Sequence, residues 1–184
     1  MTWHAAPDRT DDPRIKRSAV SKLVIAAFRR GSRGRSYQFL RVLSVNRRLF
    51  RPFLALNARM MPRGKLPRIE TEAVILFTAA RCGSKYEWTQ HKALGRRAGL
   101  TADQIELIGS DPQNEQLDER LRLVLRAAGE ILDDRILSDE TWDALSARYS
   151  PDLILELVML TGNYAMLAGA LNTFGVPLEA AWRK

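Results

Sequence analysis

The sequence predicts an all-α protein, a multi-helix bundle built on helical hairpins. Three observations carry that prediction. Apolar residues recur at three- and four-residue spacing along most of the chain, glycine and proline punctuate these stretches, and no segment shows the alternation of a half-buried strand. A chain of 184 residues, 46% hydrophobic and 27% charged, can bury the core of one domain with an appendage.

Met1 to Pro13 has two prolines, scattered charge and no apolar period, and is expected to be poorly ordered. Val20, Leu23, Val24, Ala27 and Phe28 then mark a first helix, which Gly31 and Gly34 end in a very basic loop. Its arginine-rich amphipathic character has the look of a transit peptide, which Asp8, Asp11 and Asp12 oppose. Tyr37, Leu40 and Leu43, extending toward Val45, mark a second helix. Pro52 is expected to break the chain beside a short third helix through Leu56 and Met60.

Pro67 suits the first turn of the next helix, where its missing N–H costs nothing. Ile69, Ala73, Leu76 and Ala80 form its apolar stripe, and Gly83 is placed to end it. Ser84 follows as an N-cap with Glu87 at capping-box spacing, and this helix runs to Ala98 before Gly99. Two helices joined by one turn make an αα-hairpin. Thr101 with Gln104 starts a short helix through Ile105 and Ile108, and Asp111 to Gln116 is a polar loop. Asp118 caps a periodic helix from Leu121 to Leu132, and Ser138 caps a short one carrying Trp142 and Leu145. Ser150–Pro151 opens the last helix, Asp152 to Thr173, which is apolar nearly all round and so should be buried by the core or by another subunit. Asp152, Glu156, Asn163 and Asn172 make it a poor membrane span.

Charge divides the chain. Residues 1–68 hold 17 Lys/Arg and 3 Asp/Glu, a net of +14, whereas residues 69–184 hold 12 and 18, a net of −6. The expected organisation is a basic arm with one amphipathic helix over 1–34 and a helical domain over 35–184. The arm can attract nucleic acid or an anionic membrane, but a solvated arm packed on its own acidic body or on a neighbouring subunit is the stronger reading. One cysteine, Cys82, excludes an intramolecular disulfide and a multi-thiolate site, and two histidines make a zinc cage unexpected. No metal or other cofactor is expected. The sparse cysteine and the absence of a signal-peptide pattern point to a reducing, cytoplasmic setting.

Within the hairpin, His91 shares a face with Trp88, Leu94 and Ala98, so its ring should point inward. It reads equally as a core histidine satisfied by a carbonyl or as a proton-transfer group. Glu72 lies among Ile69, Ile75 and Leu76, and a carboxylate on an apolar face needs a partner or a proton. His91 is the natural partner. Counted from Gly83, Glu72 lies 11 residues back and His91 8 forward, an axial mismatch of roughly 4–5 Å to be closed by a tilted crossing or one water. Glu87 has two equal readings, as the third residue of a capped helix or as a hydrogen-bond partner one turn before His91. Cys82, in the last turn of its helix, reads as a packed small residue more than as a reactive thiol.

The run Arg81-Cys82-Gly83-Ser84-Lys85-Tyr86-Glu87-Trp88-Thr89-Gln90-His91, with Ala98 to Thr101 behind it, resembles the carboxymuconolactone decarboxylase family. Its Tyr-Glu-Trp-x-x-His core is the most specific part. The resemblance extends over residues 37–178, through Glu72, Trp142 and Gly162-Asn163-Tyr164. It implies the all-α alkylhydroperoxidase D-like fold, commonly assembled as trimers or hexamers. The alkylhydroperoxidase D branch carries a glutamate, then Cys-x-x-Cys-x-x-x-His. With His91 on that histidine, the glutamate falls on Glu72 and the two cysteines on Ser84 and Glu87. A two-thiol peroxidase cycle needs both sulfurs.

The expected function is therefore decarboxylase-like, a lyase or isomerase step on a small organic acid or lactone. The resemblance gives His91 the proton transfer and Glu72 its orientation, with Glu87 beside them, and leaves Ser84, Tyr86, Arg81 and Trp88 as candidate substrate contacts. Two alternatives stand beside it: peroxiredoxin-type activity through Cys82, and a non-catalytic oligomer binding a polyanion or partner through the basic arm.

Overall fold

The computed structural model of the protein describes residues 1–4, 6–31, 37–61 and 63–180. Among these residues there are nine helices and no strand: α1 (Ala19–Gly31), α2 (Gln38–Leu43), α3 (Arg47–Met60), α4 (Arg68–Arg81), α5 (Lys85–Ala98), α6 (Ala102–Ser110), α7 (Glu119–Asp133), α8 (Asp139–Ser146) and α9 (Pro151–Thr173). The all-α class and the hairpin are as the periodicity predicts. The Gly34 end of the basic loop lies outside the described residues.

Helix α4 is the hub. Every residue from Glu70 to Ala79 is buried, because α5, α6, α7 and α9 pack around it. Ile75 and Leu76 are wholly enclosed, each contributing about 1.5–3 kcal/mol of burial. Gly95 of α5 allows the close hairpin packing, since a Cβ there would lie 3.2 Å from the Leu76 side chain and 3.1 Å from that of Leu100. The hairpin turn depends on Gly83, at φ +61°, where a side chain would also collide with the ring of His4.

The caps form as expected at three starts. Thr101 and Gln104 complete a capping box, Asp118 accepts from Leu121 N at 2.9 Å, and Ser138 accepts from Thr141 N at 3.2 Å. The box expected at Ser84 and Glu87 does not form. Ser84 occupies the cap position without a side-chain cap bond, and the Glu87 carboxyl turns into the interior.

Three other expectations change. The described residues of 1–13 are tied down rather than loose: Trp3 packs at a tilt against Trp88, His4 N–H donates to the Gly83 carbonyl at 3.0 Å, and Arg9 N–H donates to that of Phe174 at 2.9 Å. Helix α2 stops at Leu43, short of Val45. Helix α3 runs through Pro52, which falls early in a helix whose start Asn46 secures by accepting from Arg48 N and Leu49 N. Helix α9 packs inward on α4 and α7 but leaves Leu155, Met159 and Met166 exposed along one outer line. It is long and apolar enough to cross a membrane by length and composition, and much of it is spent on the core.

Candidate active site

The site lies where α4 and α5 face each other beneath α9. Helix α4 presents Glu72 with no exposed surface, and α5 presents His91 and Glu87 one turn apart on its buried side. His91 Nδ1 and Glu72 Oε2 are 2.7 Å apart, a direct contact with no intervening water needed. The other carboxylate oxygen of Glu72 meets the Arg68 guanidinium at 2.5 Å, an ion pair one turn back along α4 rather than an aligned hydrogen bond. Glu72 thus bridges a cation and an imidazole. An acceptor-only carboxylate fixes the imidazole proton on Nδ1 and leaves Nε2 as the base.

Glu87 is in the opposite situation. It is buried, and neither carboxyl oxygen has a hydrogen-bond partner. Burial pushes its carboxyl up to about 8, offset slightly by the nearby Ser84 hydroxyl, which is not aligned to bond it. At neutral pH it is mostly a neutral acid. Glu70 gives the contrast on the far side of α4, where a buried carboxylate is satisfied by the Tyr149 hydroxyl at 3.0 Å and Arg120 at 2.8 Å.

His91 and Glu87 line a cavity of about 350 Å³. Tyr164 of α9 completes the polar group, with its ring edge-on to the His91 ring at 5.2 Å between centroids. Burial raises the Tyr164 hydroxyl far above its usual range, and the carboxylates of Glu87 and Glu72 add to that. The remaining walls are largely apolar and come from the amino-terminal helices as well as from α5 and α9: Phe28 of α1, Phe39 of α2, and Leu54, Ala58 and Met61 of α3 and its end. Among the described residues no group of three or more His, Cys, Asp or Glu side chains could hold a metal ion.

Comparison with known proteins supports the fold. Residues 47–111, from α3 past α6, match the family described as carboxymuconolactone decarboxylase. Three solved structures share the fold over nearly the whole chain. An uncharacterized peroxidase-related protein from Silicibacter sp. TM1040 superposes with a TM-score of 0.78 at 15% identity, covering 97% of this chain and 93% of that one. An alkylhydroperoxidase AhpD core protein from Ralstonia eutropha JMP134, also peroxidase-related, gives 0.78 at 16%, covering 99% and 95%. The debrominase Bmp8, as a cysteine-to-alanine variant in complex with 2,3,4-tribromopyrrole, gives 0.67 at 17%, covering 100% and 95%. A search of curated proteins gave no match.

The chain is similar to the carboxymuconolactone decarboxylase family over residues 47–111, and it shares its fold with alkylhydroperoxidase AhpD-like structures.

In this geometry the predicted residues divide. Glu72, His91 and Glu87 come together as expected, and Tyr86 lines the cavity. The Tyr86 hydroxyl is already committed, donating to buried Glu179 Oε1 at 2.7 Å. Ser84 is buried but does not line the cavity. Arg81, expected as an anion contact, points away and pairs with Asp133 at 2.5 Å. Trp88 is buried but does not line the cavity, and packs against Trp3 and Lys92. Cys82 closes α4 outside the cavity lining; burial and the Glu87 charge push its thiol up, against a smaller pull from Arg81.

Arg68 and Tyr164 were missed as site residues. Arg68 is four residues before Glu72, a spacing that pairs opposite charges on a helix, and that signal was available. Tyr164 lies in the Gly162-Asn163-Tyr164 stretch, but only the crossing of α9 over α5 places it on His91.

Proposed function

We propose that Glu72, His91 and Glu87 carry out acid/base chemistry on a small organic acid or lactone in this cavity, as a decarboxylation or a related lyase or isomerase step. The observation that carries the reading is a histidine anchored to a buried carboxylate, one helical turn from an unpartnered neutral acid, both on the wall of one cavity. Two titratable groups whose surroundings differ this much are suited to opposite roles. His91 Nε2 takes a proton from carbon beside a carbonyl, and the electron pair moves to the carbonyl oxygen. Glu87 donates to that oxygen. In the decarboxylation variant the carbon–carbon bond to the carboxylate breaks and carbon dioxide leaves. The pair from that bond enters the conjugated carbonyl, and His91, protonated at Nε2 from solvent, delivers to carbon the one proton that the reaction consumes.

The bound tribromopyrrole of Bmp8, a small ring, supports small-molecule chemistry on this fold. The peroxidase alternative gains less support, since Cys82 has no second cysteine in the chain to resolve it and lies outside the cavity lining. Assembly as a homo-oligomer, a trimer or hexamer, belongs to the proposal and rests on the exposed apolar line of α9.

The test is turnover of unsaturated lactone acids and cyclic enones by the purified protein and by His91→Gln. Turnover that the substitution abolishes with folding unchanged supports the reading. Equal turnover by both proteins refutes it.

A further inference from the structure

Two carboxyl groups serve this site, and among the described residues no lysine or arginine lines its cavity. The cations nearby are committed elsewhere. Arg68 holds Glu72 and reaches Met61 Sδ, while Arg81 holds Asp133. Of the lining residues only His91 can become positive, and its Nδ1 is already taken by Glu72. Phe28, Phe39, Leu54, Met61, Leu94 and Leu167 make most of the remaining wall. A volume of about 350 Å³ is at the small end of ligand sites, which run from about 300 to 1,000 Å³.

Resting on the acid/base reading of this site, we infer that the cavity takes a small, predominantly apolar ring compound with no more than one negative charge and a carbonyl or comparable acceptor seated on Glu87. One carboxylate can pair with a protonated His91. A second would face apolar walls, the neutral amides of Asn57 and Gln90 and the Glu87 carboxyl with no cation to pair it, and a buried unpaired charge is strongly disfavoured. A carbonyl meets the need of Glu87 instead, since an enclosed hydroxyl donor without an acceptor is costly until a ligand supplies one. Apolar rings fill the rest by contact with aromatic and aliphatic side chains.

The test uses three probes, a phenyl-substituted unsaturated γ-lactone carrying zero, one or two carboxylate groups. Binding to the full-length protein is measured by calorimetry at neutral pH. The neutral and singly charged probes are expected to bind, and the doubly charged one to bind weaker by on the order of a hundredfold. Glu87→Gln, which keeps an N–H donor, should retain the neutral probe, and Glu87→Leu should weaken it about tenfold. Leu54→Arg, which puts a cation in the wall, should narrow the gap between the singly and doubly charged probes. Tightest binding by the doubly charged probe overturns the inference, as does failure of the neutral and singly charged probes to bind. Binding in the expected order without turnover of any probe defeats the acid/base reading alone.

Discussion

Glu87→Gln should make the protein more stable, by an amount that grows with pH. An unfolded glutamate titrates near 4.5, and the buried Glu87 carboxyl titrates at about 8. Below 4.5 both states hold the proton and the group contributes no pH dependence. Between 4.5 and about 8 the folded state holds a proton that the unfolded state has released, so the unfolded state gains stability with each pH unit. The slope is roughly 1.4 kcal/mol per pH unit, making roughly 5 kcal/mol across the window before levelling off above the folded value. Glutamine has the shape of the neutral acid and does not titrate, so it removes this slope. Urea unfolding of both proteins at pH 5, 6.5 and 8 measures it, because contributions from all other groups cancel in the difference. The gap should be under about 1 kcal/mol at pH 5, about 3 kcal/mol at 6.5 and about 4 or more at 8. Parallel curves for the two proteins would refute the reasoning, since a carboxyl that ionises normally in the fold gives no such divergence.

Glu72→Gln should cut turnover about 10- to 100-fold by loosening the imidazole and its tautomer, with KM little changed in steady-state kinetics. Cys82→Ser should leave turnover within about twofold of the parent; abolished turnover in a folded variant would restore the thiol reading. Light scattering at micromolar concentration should show a mass that is a multiple of 20.9 kDa, and Met159→Glu, placing charge on the exposed line of α9, should shift it toward the monomer. A parent protein that runs as a clean monomer would refute the assembly.

The hairpin and its pair were legible because they rest on local rules. Gly83 and Gly99 set the helix ends, and two polar residues on apolar faces of adjacent helices had to meet. Counting from Gly83 left an axial mismatch, which the close approach at Gly95 and the reach of two side chains resolve into a 2.7 Å contact. The cavity wall was not legible. Phe28 read as an apolar helix position, whereas Phe39 and Leu54 were not among the residues that marked their helices, and nothing in their spacing says that they line a cavity with α5. The same limit applies to Trp3, a lone aromatic in a segment without periodicity that finds its place only against Trp88. At Glu87 two local rules competed. Capping-box spacing predicted a bond to the helix start, and the burial of that face of α5 took the side chain inward instead.

That competition bears on what the hairpin can do. With Ser84 and Glu87 at the positions where the alkylhydroperoxidase D pattern has sulfurs, the first offers no thiolate and the second holds a carboxyl that burial keeps mostly protonated. The acid–histidine pair is kept, so the site retains a base with a fixed tautomer. What changes is its counterpart, from a group that exchanges electrons to one that holds or donates a proton according to its surroundings. Those surroundings belong to the fold rather than to the motif. Glu72 and Glu87 are the same side chain within reach of one imidazole, yet the first is paired with Arg68 and the second faces an apolar cavity without a partner. Bringing a cation beside Glu87 would favour its ionised form and remove the donor while leaving every motif residue in place. The acid/base character of this hairpin therefore depends as much on the uncharged walls supplied by α1, α2 and α3 as on the residues that carry the chemistry.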